Sequence, residues 1–342
     1  NTVDAGALRS VVRFALDAGA HGVVFPGVAS EYNFLSVEER GELMSVVFNE
    51  VAGRVPIIGG ASAATSEEAI DAGQHAKDHG INHLMIMAPS GLGQDVNAHR
   101  EFFARITSKL TDVEVILQNA PSPIGAGLNA NAITSLVEAI PAITYTKEET
   151  LPSGPVITEL LAQEIPQLKG VLGGGGARYI IDELNRGALG ALPAVELTDL
   201  HVAIYEAHTA GDFGRARELY RYSLPLLACQ MIYRMRLTKY VLKQRGIMDH
   251  LHVRAPLPEL DEFIRQDIDT MLEDLKAVFP RLHRRHRTSW GPSRSTSSIC
   301  VRTNRISAVF ATGRPSTRAA TSCVAEIALF IRERIDHLSF AW

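Results

Sequence analysis

The stretch Ala142-Ile143-Thr144-Tyr145-Thr146-Lys147-Glu148-Glu149-Thr150 decides the reading of the whole chain. Its first five residues are small, β-branched or aromatic, the composition of a short strand covered on both faces. A lysine then closes the run. Working outward, six further runs have the same character: 22–28, 55–59, 83–88, 113–117, 168–172 and 189–194. Each is short, largely apolar and bounded by Gly, Pro or Asn. Between them lie amphipathic segments with recognisable helix starts. Ser36 with Glu39, and Thr65 with Glu68, have capping-box spacing. The runs recur at the length of one strand–helix unit, and seven in succession favour an α/β (β/α)₈ TIM barrel over an open sheet. Residues 7–18 already read as the first helix. Strand one would therefore precede Asn1, and the absent initiator Met suggests a processed or truncated N-terminus. Beyond the last run, 199–208, 213–222, 225–244 and 258–278 read as a helical appendage.

Charge divides the chain. Residues 281–342 hold 11 of the 34 basic residues, all Arg, but only 3 of the 38 acidic ones, which leaves residues 1–280 with 23 bases against 35 acids. The overall −4 is the sum of these unlike parts. The expected organisation is a barrel over 1–197, helices of the same domain over 198–280, and a basic Arg/Ser/Thr-rich tail over 281–342 that is disordered or non-native. The acidic body argues against nucleic acid as a partner. The tail's arginines lack the aromatic interleaving and helical stripe of a nucleic-acid surface. No apolar run reaches the roughly 20 residues of a membrane span, and no signal peptide is visible. Three scattered cysteines point to a reducing cytoplasm rather than to disulfides or zinc. The 12 histidines show no ligand spacing apart from His201 and His208, which read as surface residues, so no metal is expected.

A lysine ending a barrel strand faces the mouth, where barrel enzymes place their chemistry. Desolvation there lowers an amine's pKa. The neutral amine attacks a ketone to form a Schiff base, and the iminium acts as an electron sink. A solvated strand-end lysine is the competing reading. Its company favours chemistry: Gly27-Val28-Ala29-Ser30-Glu31 with Leu35 and Glu39-Arg40, then Gln118-Asn119-Ala120-Pro121, then Gly173-Gly174-Gly175-Gly176.

In this order, with Lys147-Glu148, the pattern resembles the dihydrodipicolinate synthase / N-acetylneuraminate lyase family of class I lyases, across roughly residues 2–278. The resemblance implies a cytoplasmic barrel, a homo-oligomer (tetramer or dimer), that binds a small-molecule 2-oxo acid as an imine on Lys147, with no other cofactor and no membrane or nucleic-acid partner. The departures bear on the substrate. The family's Gly-Thr-Thr-Gly-Glu is here Gly27-Val28-Ala29-Ser30-Glu31, and Gln118 stands where its synthases and sialate lyases carry a catalytic tyrosine. An amide has no titratable proton near neutral pH, so it does not replace a phenol that relays one. Gln118, Ser30-Glu31 and Lys147-Glu148-Glu149-Thr150 are similar instead to the 2-keto-3-deoxy sugar acid dehydratase branch, exemplified by L-2-keto-3-deoxyarabonate dehydratases. An aldolase, a 4-hydroxy-tetrahydrodipicolinate synthase-like lyase and a catalytically inactive relative are the alternatives.

Individual roles stay open at this level. Gln118 either hydrogen-bonds a substrate hydroxyl or ties neighbouring loops together. Ser30 binds the substrate carboxylate, relays a proton or caps a helix. Glu31 reads as an acceptor for loop amides. Thr150 orients the imine or starts the next loop. Gly173 and Gly174 permit close approach of backbone amides to a carboxylate. The glycine run lacks the Lys-Ser/Thr of a phosphate loop. Residues 230–236, with two Met and two Arg, read as a packed helix.

Overall fold

The expected strand–helix alternation is present in a computed structural model that describes residues 2–283, 320–321 and 326–330. The order is β1 (Thr2–Val3), α1 (Ala5–Asp17), β2 (Gly22–Phe25), α2 (Val37–Val51), β3 (Ile57–Gly60), α3 (Ser66–Asp78), β4 (His83–Ile86), α4 (Val96–Lys109) and β5 (Glu114–Asn119). There follow α5 (Ala130–Ala139), β6 (Ile143–Glu148), α6 (Ser153–Ala162), β7 (Gly170–Gly173), α7 (Ile180–Asn185) and β8 (Gly190–Ala191). Both capping boxes are made: Ser36 caps α2 through the amide of Glu39, and Thr65 caps α3 through that of Glu68.

Strands β2 to β8 run parallel in sequence order. Alternation along each strand sorts the side chains. One residue or two per strand fill the barrel interior: Val24, Ile58, Met85, Ile116, Tyr145, Leu172, Leu189 and Leu192. Their neighbours Val23, Leu84, Val115, Leu117, Ile143 and Val171 join the helix-facing core. With Ile116, Tyr145 and Leu172 inward, the same parity turns Gln118, Lys147 and Gly174 inward and Asn119, Glu148 and Gly173 towards the helices.

No barrel strand precedes α1 within the described chain. Thr2–Val3 pairs instead with β9 (Ala320–Thr321), outside the barrel. The place beside β2 is taken by β10 (Glu326–Phe330), which runs antiparallel to both β2 and β8 and closes the ring. Two strand edges that would otherwise present unpaired backbone groups are thereby covered. The expectation of an unstructured 281–342 does not extend to these segments, nor to the turn Pro280–His283. For the rest of that tail it lies outside the described residues.

The appendage comprises α8 (Thr198–Thr209), α9 (Phe213–Tyr233), α10 (Met235–Gln244) and α11 (Glu262–Val278). One boundary differs from expectation. The sequence suggests a break before Pro225, yet α9 continues through it and ends at Arg234. Leu226 and Leu227, immediately after the proline, are fully buried against the other appendage helices, which hold the turn together. His201, expected on the surface, is also buried, on the face that packs α8 against its neighbours, and burial pushes its imidazole down to about 4. A buried ion pair fastens this layer to the barrel, Lys239 Nζ to Glu31 Oε2 at 2.6 Å, and another, Arg245 Nη2 to Asp199 Oδ2 at 2.6 Å, joins α10 to α8 within the layer.

Candidate active site

The barrel mouth holds a cavity of about 250 Å³ lined by residues from several places in the chain. Val28 and Ala29 follow β2, Gln118 and Pro121 end β5, Lys147 and Glu149 end β6, and Gly175, Gly176 and Arg178 follow β7. Gln230, Arg234 and Met235 reach it from the α9–α10 junction. Lys147 is 2% exposed, and its register partners are Gln118 on β5 and Leu172 on β7.

Glu149 organises the cavity floor. Its Oε1 lies 3.4 Å from Lys147 Nζ and accepts the Gln118 side-chain amide at 2.6 Å. Its Oε2 accepts the Gly175 backbone N–H at 3.1 Å. Burial opposes ionisation of this carboxyl, but the Lys147 charge and the hydrogen bonds from Gln118 and Gly175 together hold it below the usual carboxylate range. It is therefore an anion beside the amine. Gln118 lines the cavity and donates its side-chain amide to the carboxylate that faces Lys147.

Behind this floor, on the helix side of the sheet, two more glutamates are buried. Glu148 accepts the Asn119 side-chain amide at 2.7 Å, the Thr150 N–H at 2.6 Å and the Thr150 hydroxyl. Burial pushes it up to about 7. Glu183 of α7 accepts the Ser153 hydroxyl at 2.8 Å on Oε1, while its buried Oε2 has no hydrogen-bond partner. Burial, reinforced by the charges of Glu149 and Glu148, pushes it up to about 8. A buried oxygen left without a donor favours the protonated acid, as that shift indicates.

Several expected substrate contacts fall elsewhere. Ser30 Oγ accepts the Gly27 N–H at 3.0 Å and turns away from the cavity. Glu31 sits at φ 57° and points into the appendage, where Lys239 and the amides of Arg254 and Ala255 satisfy it. Thr150 is committed to Glu148. Gly173 and Gly174 do not line the cavity either; Gly175 and Gly176 do. A Cβ at Gly173 would meet Glu183 Oε2 at 2.0 Å, and one at Gly174 would meet Glu149 Cγ at 2.2 Å. These glycines make room for the chain's own carboxylates rather than for a ligand.

Sequence reading named Glu149 within the strand ending but gave it no role, and it missed Glu183, Arg178, Arg234 and Gln230. The parity of β6 and the two small residues opposite, Gly173 and Gly174, are the signals that would have located the two glutamates. Among the described residues no group of His, Cys, Asp and Glu is arranged to hold a metal ion, and no helix is long and apolar enough to cross a membrane.

Comparison with known proteins agrees with this geometry. Residues 1–275 match the model of the dihydrodipicolinate synthetase family. A 4-hydroxy-tetrahydrodipicolinate synthase of Methanopyrus kandleri is 31% identical over 227 residues, covering 64% of this chain and 72% of that one. A DapA-like lyase of Halobacterium salinarum is 28% identical over 278 residues, covering 80% and 89% respectively. Among solved structures, the dihydrodipicolinate synthase of Rhodopseudomonas palustris superposes with a TM-score of 0.73 at 25% identity, covering 79% of this chain and 91% of that one. YagE of E. coli, solved in complex with pyruvate, superposes with a TM-score of 0.73 at 21% identity, covering 81% and 94%.

Proposed function

Because the chain belongs to the dihydrodipicolinate synthetase family, a family of lyases, we propose that it carries a 2-oxo acid as an imine on Lys147 and removes water from a 2-keto-3-deoxy sugar acid. The observation that supports this reading is the shared Glu149 Oε1, which lies between Lys147 Nζ and the amide of Gln118, the residue that stands where the family's synthases carry a tyrosine. The site thus has a titratable group, but it is a carboxylate rather than a tyrosine.

The steps balance without an external cofactor or second substrate. The Lys147 amine adds to C2 of the substrate, and loss of one water gives the iminium. The iminium acidifies C3, and Glu149 takes a C3 proton to leave an enamine. The enamine electrons expel the C4 hydroxyl, which leaves as water with the proton that Glu149 returns. Hydrolysis of the resulting imine consumes one water, frees Lys147 and releases a 2-oxo acid with one hydroxyl fewer. Protonated Glu183 beneath the floor adds no negative charge that would compete with Glu149 for the cation. The family reading also makes the working form a homo-oligomer, a dimer or tetramer.

The names of the relatives favour a second reading, a synthase or aldolase that makes or breaks a carbon–carbon bond on the same imine. Incubation of the protein with a panel of 2-keto-3-deoxypentonates and hexonates separates the two. The dehydratase reading expects a dehydrated 2-oxo acid without cleavage; release of pyruvate plus an aldehyde overturns it in favour of the aldolase. Borohydride in the presence of substrate is expected to add a stable mass to Lys147, and to add none in Lys147→Ala. Absence of any adduct removes the Schiff-base reading and leaves a family barrel without catalysis.

A further inference from the structure

Four charged side chains line the cavity: Lys147, Glu149, Arg178 and Arg234. Glu149, the sole anion among them, is already engaged by Lys147, Gln118 and Gly175. Neither arginine guanidinium has an ion-pair partner among the described residues, and Arg178 Nε is buried with no hydrogen bond at all. Cations drawn into a pocket without counter-charge lose hydration with nothing in return, unless a ligand restores it. A monocarboxylic 2-oxo acid brings one negative charge, and the iminium it forms keeps the Lys147 positive charge. The lining then still carries an excess of one cation.

The two arginines reach the cavity from elements other than the strand that carries Lys147. Glu149 Oε2 rests on the Gly175 N–H, and the side of Gly175 where a Cβ would stand faces Arg178 Nη2 at 3.6 Å. Arg178 thus neighbours the glycine whose N–H Glu149 Oε2 accepts, while Glu149 Oε1 faces Lys147. Arg178 is itself fixed from behind, since the Tyr220 hydroxyl of α9 donates to its carbonyl at 2.5 Å. Arg234 sits at the α9–α10 break with φ 45° and ψ −122°, a backbone conformation that non-glycine residues rarely adopt. That break ends α9 at the mouth instead of carrying the helix past it. Such strain persists where surrounding structure enforces it, often at a binding site.

From this arrangement we infer that Arg178 and Arg234 form a subsite for a second carboxylate at the far end of the substrate, so that the preferred substrate is a 2-oxo dicarboxylic acid. The inference rests on the Schiff-base reading and narrows it from sugar acids with a neutral terminus to their two-carboxylate counterparts. The planar guanidinium fork matches a carboxylate in two-point geometry, which a lysine does not reproduce.

The test uses borohydride trapping on Lys147 with 2-oxoglutarate and with 2-oxopentanoate, which have five carbons each and differ at the far end. The concentration for half-maximal trapping is expected to be about 30-fold lower for 2-oxoglutarate in the unaltered protein. The preference is expected to fall to about 3-fold or less in Arg178→Met/Arg234→Met, and to an intermediate value in Arg178→Lys, with thermal melts confirming that each variant is folded. Equal half-maximal concentrations in the unaltered protein overturn the inference whether or not the variants fold, while leaving the Schiff-base reading intact. An undiminished preference in the folded double variant overturns it as well. Trapping of neither acid overturns the inference, and trapping with the keto-deoxy acid panel then decides whether the Schiff-base reading falls with it.

Discussion

The two sides of this barrel are built by different means. At the ends of β5, β6 and β7, strands pair in long parallel registers, Val115 to Asn119 against Ile143 to Glu148, and buried side chains then tie one end to the next. Gln118 holds Glu149, Asn119 holds Glu148 and the 128 amide, and Glu149 holds Gly175. Across the barrel, β2 and β8 do not meet. They are joined by β10, which lends three residues to one edge and two to the other, in the antiparallel sense. On the first side, side chains link one strand end directly to the next; on the other, Glu31 ties the end of β2 to Lys239 of the appendage instead of to a neighbouring strand. Chemistry that requires atoms held to fractions of an ångström belongs on the first side, where Lys147 is found.

The largest expected effect tests the fixed side directly. Glu149→Gln keeps the size of the side chain but removes the charge beside Lys147, the proton-carrying oxygen and one of the two acceptors that serve Gln118 and Gly175. Turnover is expected to fall by about 10²–10⁴-fold, with borohydride adducts still forming, because carbinolamine and imine formation do not depend solely on Glu149. Unchanged turnover on the keto-deoxy acid panel would remove the carboxylate relay from the mechanism.

A second perturbation acts through packing. In Gly173→Ala the new methyl meets Glu183 Oε2 at 2.0 Å, and Glu183 is pinned by Ser153, so the strand or α7 must shift. The expected cost is about 1–3 kcal/mol in denaturant unfolding. Adding Glu183→Ala should recover most of it, since the two substitutions share one contact. Strictly additive losses would show that the glycine is required for some other reason.

Third comes pH. Glu183 titrates from an ordinary value of 4.5 when unfolded to about 8 when folded, because burial disfavours its anion. The folded state therefore holds its proton more tightly. The stability linked to it is fully present below the unfolded value and is lost as pH rises through about 8. The melting temperature of Glu183→Gln is expected to gain on that of the unaltered protein by roughly 3–5 °C between about pH 5 and pH 8.5. Parallel curves for the two proteins would place the titration elsewhere, with Glu148 as the next group to substitute.

Much of the fixed side is legible in the sequence because it rests on local rules. Strand runs alternate with helix starts, parity turns Lys147 and Gln118 to the same interior, and capping boxes mark α2 and α3. What escapes is what depends on distant contacts. Glu183 lies 30 residues from the serine that anchors it. The break at Arg234 carries no Gly or Pro to announce it, while Pro225 announces a break that packing suppresses. Ser30, Glu31 and Thr150 stand in motif positions, yet their side chains are consumed by the chain's own amides, lysine and glutamate. A motif names the residues near a site without saying which way each one faces.

The seam carries the smallest prediction and the one that most sharpens the contrast. Ile327 pairs with Val23 in the middle of β10, between two neighbours. Ile327→Pro removes a backbone donor from a strand that has a partner on each side. One net hydrogen bond is worth about 1 kcal/mol, so the melting temperature should drop by only about 2–4 °C. Turnover below the transition should be unchanged, because the ties among Gln118, Asn119, Glu148 and Glu149 do not pass through β10. If the substitution instead abolishes turnover at temperatures where the protein remains folded, the seam positions the catalytic side and the two halves are coupled. If it changes neither property, β2 and β8 tolerate open edges, and the barrel is held by its seven parallel strands and their helices alone.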